Sequence, residues 1–224
     1  MKTIFKTLLM LAIVSGARVN GQNDEKYGFI RLVNALAPGE GSTELLLDGN
    51  NLYPDGYNLG DATGGMGVPV GTCNVTIRKE GVTEGMTKVK IEQGATTTVI
   101  PFGERVPATD QEPAHWEVRI LRLKQKAESN KREATFVSVS QKPEVSVEMR
   151  DPAGNWDKYL VKRFGTTVAP MKYPEGYIPL RAGKTELPSI PVMDVGNYVV
   201  VLFDGPDGDL QSISFRDFHH VTAE

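Results

Sequence analysis

The stretch Tyr27–Asp48, YGFIRLVNALAPGEGSTELLLD, decides how the rest of the chain is read. Phe29, Ile30, Leu32 and Val33 form a short β-prone run that halts at Asn34. Ala37 to Ser42 is a Pro/Gly turn, and Glu44 to Leu47 begins a second β-prone run. About one hundred residues later the same strand, turn, strand opening returns as Ala134–Asp151, ATFVSVSQKPEVSVEMRD, with Gln141, Lys142 and Pro143 as its turn.

Working outward, further landmarks recur at an offset between 102 and 106. The Asp48-Gly49-Asn50 turn matches Asp151 to Asn155, Tyr57 matches Tyr159, and Pro69 and Gly71 match Pro174 and Gly176. Gly94 matches Gly196, Val99 and Ile100 match Val201 and Leu202, and Gly103 matches Gly205. A near-constant offset is the mark of an internal duplication. The pair YPDGY (53–57) and YPEGY (173–177) stands 120 apart and breaks that offset, so it reads as recurrent turn chemistry.

Between the landmarks, strand signals such as TCNVTIR (72–78), TKVKIE (87–92) and WEVRILRL (116–123) alternate with turn residues, and no helical period runs beyond two turns. In the last of these, Val118 and Ile120 point one way and Leu121 and Leu123 the other, which suits a strand covered on both faces. The expectation is an all-β protein: two tandem β-sandwich (Ig-like) domains, at 22–123 and 134–224. The charged run KQKAESNKRE (124–133), with Ala127 its one apolar residue, is expected to be the linker.

The first 21 residues read as a cleavable signal peptide: Lys2 and Lys6, then the apolar run LLMLAIV (8–14), then a small-residue exit at Gly21 or, alternatively, Ala17. The expected location is therefore periplasmic or secreted. No later stretch approaches the length a membrane helix needs, so no transmembrane segment is expected in the mature chain. Removing Lys2, Lys6 and Arg18 with no acid takes the formal charge from -3 to -6. An acidic mature chain argues against nucleic acid as a partner. Cys73 is the one cysteine, so no internal disulfide forms.

Chemistry-bearing patterns are sparse. Gly183-Lys184-Thr185 resembles the end of a phosphate loop, but Ile178 stands where that loop requires glycine, and a turn is the better reading. Asp204, Asp207 and Asp209 lack calcium-loop spacing and read as a hairpin turn. His115, His219 and His220 do not form a zinc pattern. No catalytic, cofactor-binding or metal-ligating residues are assigned, and an enzyme is not expected. The remaining signal is aromatic: Tyr53, Tyr57, Trp156, Tyr159, Tyr173 and Tyr177 lie in or beside irregular segments, where rings stack on sugars, anchor protein partners or fill turns.

The early Tyr27-Gly28, the strand Phe29-Ile30-Arg31-Leu32-Val33-Asn34-Ala35 and the second copy after a charged linker resemble the accessory protein of bacterial alginate O-acetylation, the AlgF family. The second copy departs from the pattern, since Phe136 to Ser140 has neither the Arg nor the Asn. The resemblance implies a non-catalytic periplasmic scaffold of two β-sandwich domains, partnered by periplasmic and membrane-bound acetyltransferases that modify an exopolysaccharide. The alternative is an exported carbohydrate- or surface-binding β-sandwich protein acting alone.

Overall fold

The structure, a computed structural model, describes residues 26–173 and 175–219. The expected signal peptide, Pro174 and His220 lie outside the described residues. Everything described is strand, turn or loop, with no helix, so the protein is all-β.

The first half supplies β1 (Tyr27–Leu32), β2 (Glu40–Leu47), β3 (Asn50–Asn51), β4 (Met66–Pro69), β5 (Gly71–Glu80), β6 (Val82–Ile91), β7 (Thr96–Val106) and β8 (His115–Lys124). The second half repeats the set as β9 (Arg132–Ser138), β10 (Glu144–Arg150), β11 (Trp156–Lys162), β12 (Thr166–Pro170), β13 (Gly176–Ala182), β14 (Thr185–Val192), β15 (Gly196–Asp204) and β16 (Leu210–Arg216).

Strand pairing shows the duplication more firmly than composition does. The second half has two four-stranded sheets, β11-β10-β13-β14 and β12-β9-β15-β16. The first half has the same neighbours, β3-β2-β5-β6 and β4-β1-β7-β8, joined into one eight-stranded sheet by a single parallel pair, Thr83 with Glu117. Even the parallel pairing recurs, β1 with β7 and β9 with β15.

Alternation along the strands explains why the sheets stack. In β5, Cys73, Val75 and Ile77 are buried while Asn74 and Arg78 face away. They join Ile30, Leu32, Leu45, Val89 and Val99 in a core drawn from both four-stranded portions of the first-half sheet. Phe136, Val147, Val161, Ile178, Ile190 and Val200 do the same in the second. Each such side chain contributes about 1.5–3 kcal/mol on burial.

A third apolar layer fuses the halves. β1 and the residues just after it, with β7 and β8, contribute Val33, Ala35, Ile100, Phe102, Leu121 and Leu123 from their opposite faces, and β9 and the residue after it, with β15 and β16, contribute Val137, Val139, Val201, Phe203, Ile213 and Phe215. Here β15 is instructive: every residue from Asn197 to Phe203 is buried, alternate ones facing the second-half core and this seam. The run 124–133, expected to be the linker, begins and ends in strands, and Gln125 and Lys126 within it bond to Thr96, Phe218 and His219. Gln125 bonds through its main chain to Thr96 and through its side chain to the Phe218 carbonyl, while Lys124 belongs to β8 and Arg132 and Glu133 to β9.

Register corrects the landmarks matched along β7 and β15. Leu32 pairs with Val99, and Phe136 with Val200, so the core-facing partner of Val99 is Val200 and that of Ile100 is Val201. The sequence matches of Val99 to Val201, Ile100 to Leu202 and Gly103 to Gly205 are each one residue out, which in a strand places the matched residues on opposite faces.

Candidate functional site

The structure does not bring the six loop aromatics together. Tyr53 and Tyr57 pair with ring centroids 5.5 Å apart, and Tyr57 leans on the first-half core. Burial raises the Tyr57 hydroxyl pKa. Tyr159 stacks on Phe136 at 5.7 Å, inside the second half. Trp156 is covered by the Arg181 guanidinium, 4.1 Å from its ring, and Arg181 is itself paired with Glu148. The Tyr173 hydroxyl donates to the Asp151 carbonyl at 3.1 Å. Tyr177 alone of the six stands largely free, 75% exposed on the outer sheet.

The conspicuous concavity lies elsewhere, at one end of the seam, where equivalent pieces of the two halves face each other. Its volume is about 770 Å³. The β1–β2 turn contributes Ala37 and Pro38, and the equivalent β9–β10 turn contributes Gln141, Lys142 and Pro143. Its floor is Phe102 from β7 and Phe203 from β15, which share a structural position, with Trp116 at the side.

Gly103 is glycine for a steric reason. A Cβ there would stand 2.3 Å from Pro38 Cγ and 3.3 Å from Trp116 Cε3, so a side chain would push the turn off the sheet. Three polar ties hold the walls. Gln141 Nε2 donates to the Gly103 carbonyl at 2.6 Å across the seam. Arg163 pairs with Glu104, also across the seam, and Phe164 beside it packs on Phe102. Lys79 Nζ donates to the Leu36 and Ala37 carbonyls at 2.9 and 3.3 Å, and burial lowers the pKa of its ammonium.

The cleft lining carries one base, Lys142, and one acid, Asp204. The Asp204 carboxylate is already engaged, accepting from Ser140 Oγ at 2.7 Å and the Gln141 amide at 2.6 Å. Lys142, on the wall, makes no ion pair among the described residues, and Arg105, outside the lining, has its guanidinium 5.9 Å from the Trp116 ring.

The sequence-flagged chemistry resolves into turns. Gly183-Lys184 is the two-residue tip joining β13 to β14. Gly205 and Asp209 close the β15–β16 hairpin through a 2.7 Å main-chain bond. Among the described residues no group of three His, Cys, Asp or Glu is placed to hold a metal. Cys73 is buried, and desolvation followed by the nearby Asp48 charge pushes its thiol up to about 11, which keeps it protonated and unreactive at neutral pH. No described helix is long and apolar enough to cross a membrane.

Sequence reasoning missed Phe102, Trp116 and Phe203 as cleft residues. For the two phenylalanines the signal was present in the apolar runs TVIPF (98–102) and YVVVLF (198–203), too uniformly apolar for a strand with one wet face.

No family model matches the chain, and no curated protein is similar to it. Among solved structures, the Bacillus anthracis TIE protein is similar over 80% of this chain at 9% identity with a TM-score of 0.26, and the aligned region spans about half, 51%, of that protein.

Proposed function

We propose that this chain is a non-catalytic accessory protein of exopolysaccharide O-acetylation. In this reading it is exported by residues 1–21 to the periplasm and built as two Ig-like β-sandwich domains, 22–123 and 134–224. It docks acetyltransferases, periplasmic or membrane-bound, and keeps acetyl donor and alginate-like acceptor close, which raises their effective concentration. The observation that carries the reading is the seam. Duplicated halves fused through a continuous apolar layer present two sets of equivalent loops at fixed spacing, as a scaffold requires.

Deleting the gene tests it: acetylation of the polymer should fall, with polymer synthesis retained, while the purified protein turns over no acetyl ester. Hydrolysis or transfer of an acetyl ester by the isolated chain overturns the proposal.

A carbohydrate-binding protein acting alone is the second reading, favoured by the exposure of Tyr177 and Tyr53. A glycan array followed by calorimetry of Tyr177→Ala tests it, since a ring that stacks on a sugar costs about 1 kcal/mol or more when truncated.

A further inference from the structure

We propose that the seam cleft binds a small single-chain amphiphile: an apolar tail laid over Phe102, Phe203 and Trp116, with one anionic head, a carboxylate, held by Lys142. The proposal goes beyond the accessory role and does not depend on it, because the purified chain binds such a ligand or fails to, whatever happens to a polymer.

Size and lining come first. At about 770 Å³ the cleft falls within the range of small-ligand sites, and its floor is aromatic and aliphatic with a few polar groups at the rim. A tail bound there removes apolar surface from water, which drives binding at roughly 25 cal/mol per Å².

Charge then selects the head. Asp204 is the one carboxylate on the wall, and both its oxygens already accept hydrogen bonds. Lys142, the one cation on the wall, makes no ion pair among the described residues, so its ammonium is available to a carboxylate head. Lys79, tied to the Leu36 and Ala37 carbonyls from behind, fixes the wall.

Pre-organisation is the last element. The turn carrying Lys142 is pinned by Asp204 to Ser140 and Gln141, and the facing turn by Lys79, so little ordering accompanies binding.

The chain has two tryptophans, so Trp156→Phe leaves Trp116 as the sole reporter. With that variant, bromine-labelled dodecanoate at monomeric concentrations should quench Trp116 fluorescence. By calorimetry, dodecanoate should bind roughly threefold more tightly than 1-dodecanol, the scale of one rim ion pair, and dodecyltrimethylammonium least well. Lys142→Ala should abolish the preference for dodecanoate over dodecanol while retaining dodecanol binding. Ala37→Phe should remove quenching by filling the cleft. An unquenched Trp116 overturns the proposal, as does equal binding of carboxylate and alcohol by the unsubstituted chain, or unaltered binding by folded Ala37→Phe. Should Ala37→Phe fail to fold, the exposed Lys142→Ala change decides alone.

Discussion

Arg31 Nη1 donates to Asp217 Oδ1 at 3.0 Å across the seam, although 186 positions separate the two residues. Both side chains are almost fully withdrawn from water, at 2% and 4% exposure, and the guanidinium lies 4.6 Å from the centre of the Phe215 ring. The duplication does not repeat this pair. By register the counterpart of Arg31 is Thr135 and that of Asp217 is Gln125, so the ion pair occupies one of two equivalent places and breaks the symmetry of the seam. Removing one partner strands the other charge in an apolar layer. Asp217→Ala should therefore destabilise the fold by about 3–5 kcal/mol in urea unfolding, while Arg31→Met with Asp217→Leu recovers much of the loss. Equal destabilisation by the single and double changes contradicts this account.

The seam behaves as core, and its substitutions should be priced as core. Phe203→Ala should cost about 3–5 kcal/mol, and Phe102→Ala, at the equivalent position, a similar amount. Val201→Asp, which places a charge between the halves, should split urea unfolding into two transitions and enlarge the particle in small-angle scattering. A single transition with an unshifted midpoint counts against fusion through this layer.

All-β character and the repeat were legible because turns are written in glycine, proline and aspartate at fixed offsets. Gly71 and Gly176, matched by spacing, open the equivalent strands β5 and β13 with positive φ, 148° and 109°. The seam was not legible for the same reason that the register slipped. When a strand such as β15 is buried on both faces, the period-two signal that separates inside from outside disappears. Loop aromatics drew attention because they stand out against polar neighbours, whereas Phe102 and Phe203 sit among other apolar residues. The run 124–133 reads as a solvated connector from its charges, yet Gln125 turns inward to bond beside Asp217 and Phe218, a contact that only the packed halves create.

Asn34, which closes the opening strand run, is a local clasp. Its Nδ2 donates to Thr43 Oγ1, the Tyr57 carbonyl and the Asn58 carbonyl at 3.1, 3.0 and 2.9 Å, and its Oδ1 accepts from the Leu36 amide at 3.2 Å. The first half needs this clasp because a long irregular segment, 52–65, returns past β2. The second half fills the equivalent place with the regular strand β11, and the matching residue, Ser138, has a buried hydroxyl without a hydrogen-bond partner. Asn34→Ala should cost about 1–3 kcal/mol and speed amide exchange at Gly60 and Asp61, whereas Ser138→Ala should be neutral or mildly stabilising. Comparable losses at the two sites would show that the clasp is not what distinguishes them.

The two equivalent aspartate turns set the response to acid. Asp48 Oδ1 accepts from the Asn74 amide at 2.9 Å and from Asn74 Nδ2 at 2.8 Å, and Asp151 accepts from the Asn155 amide at 2.8 Å and Asn155 Nδ2 at 3.2 Å. In both, the main-chain hydrogen bond is the leading cause of a carboxyl pKa held below the usual aspartate value of 3.8. A folded pKa below the unfolded one means that the stabilisation is complete above the unfolded value and vanishes as pH falls through the folded one. Thermal midpoints measured from about pH 6 to about pH 2 should therefore fall more steeply below 3.8 for the natural chain than for Asp48→Asn with Asp151→Asn. The double variant should be the less stable near neutrality, and the two curves should converge in acid. A gap that stays constant down to about pH 2 would mean that protonation of these turns does not govern the acid limb.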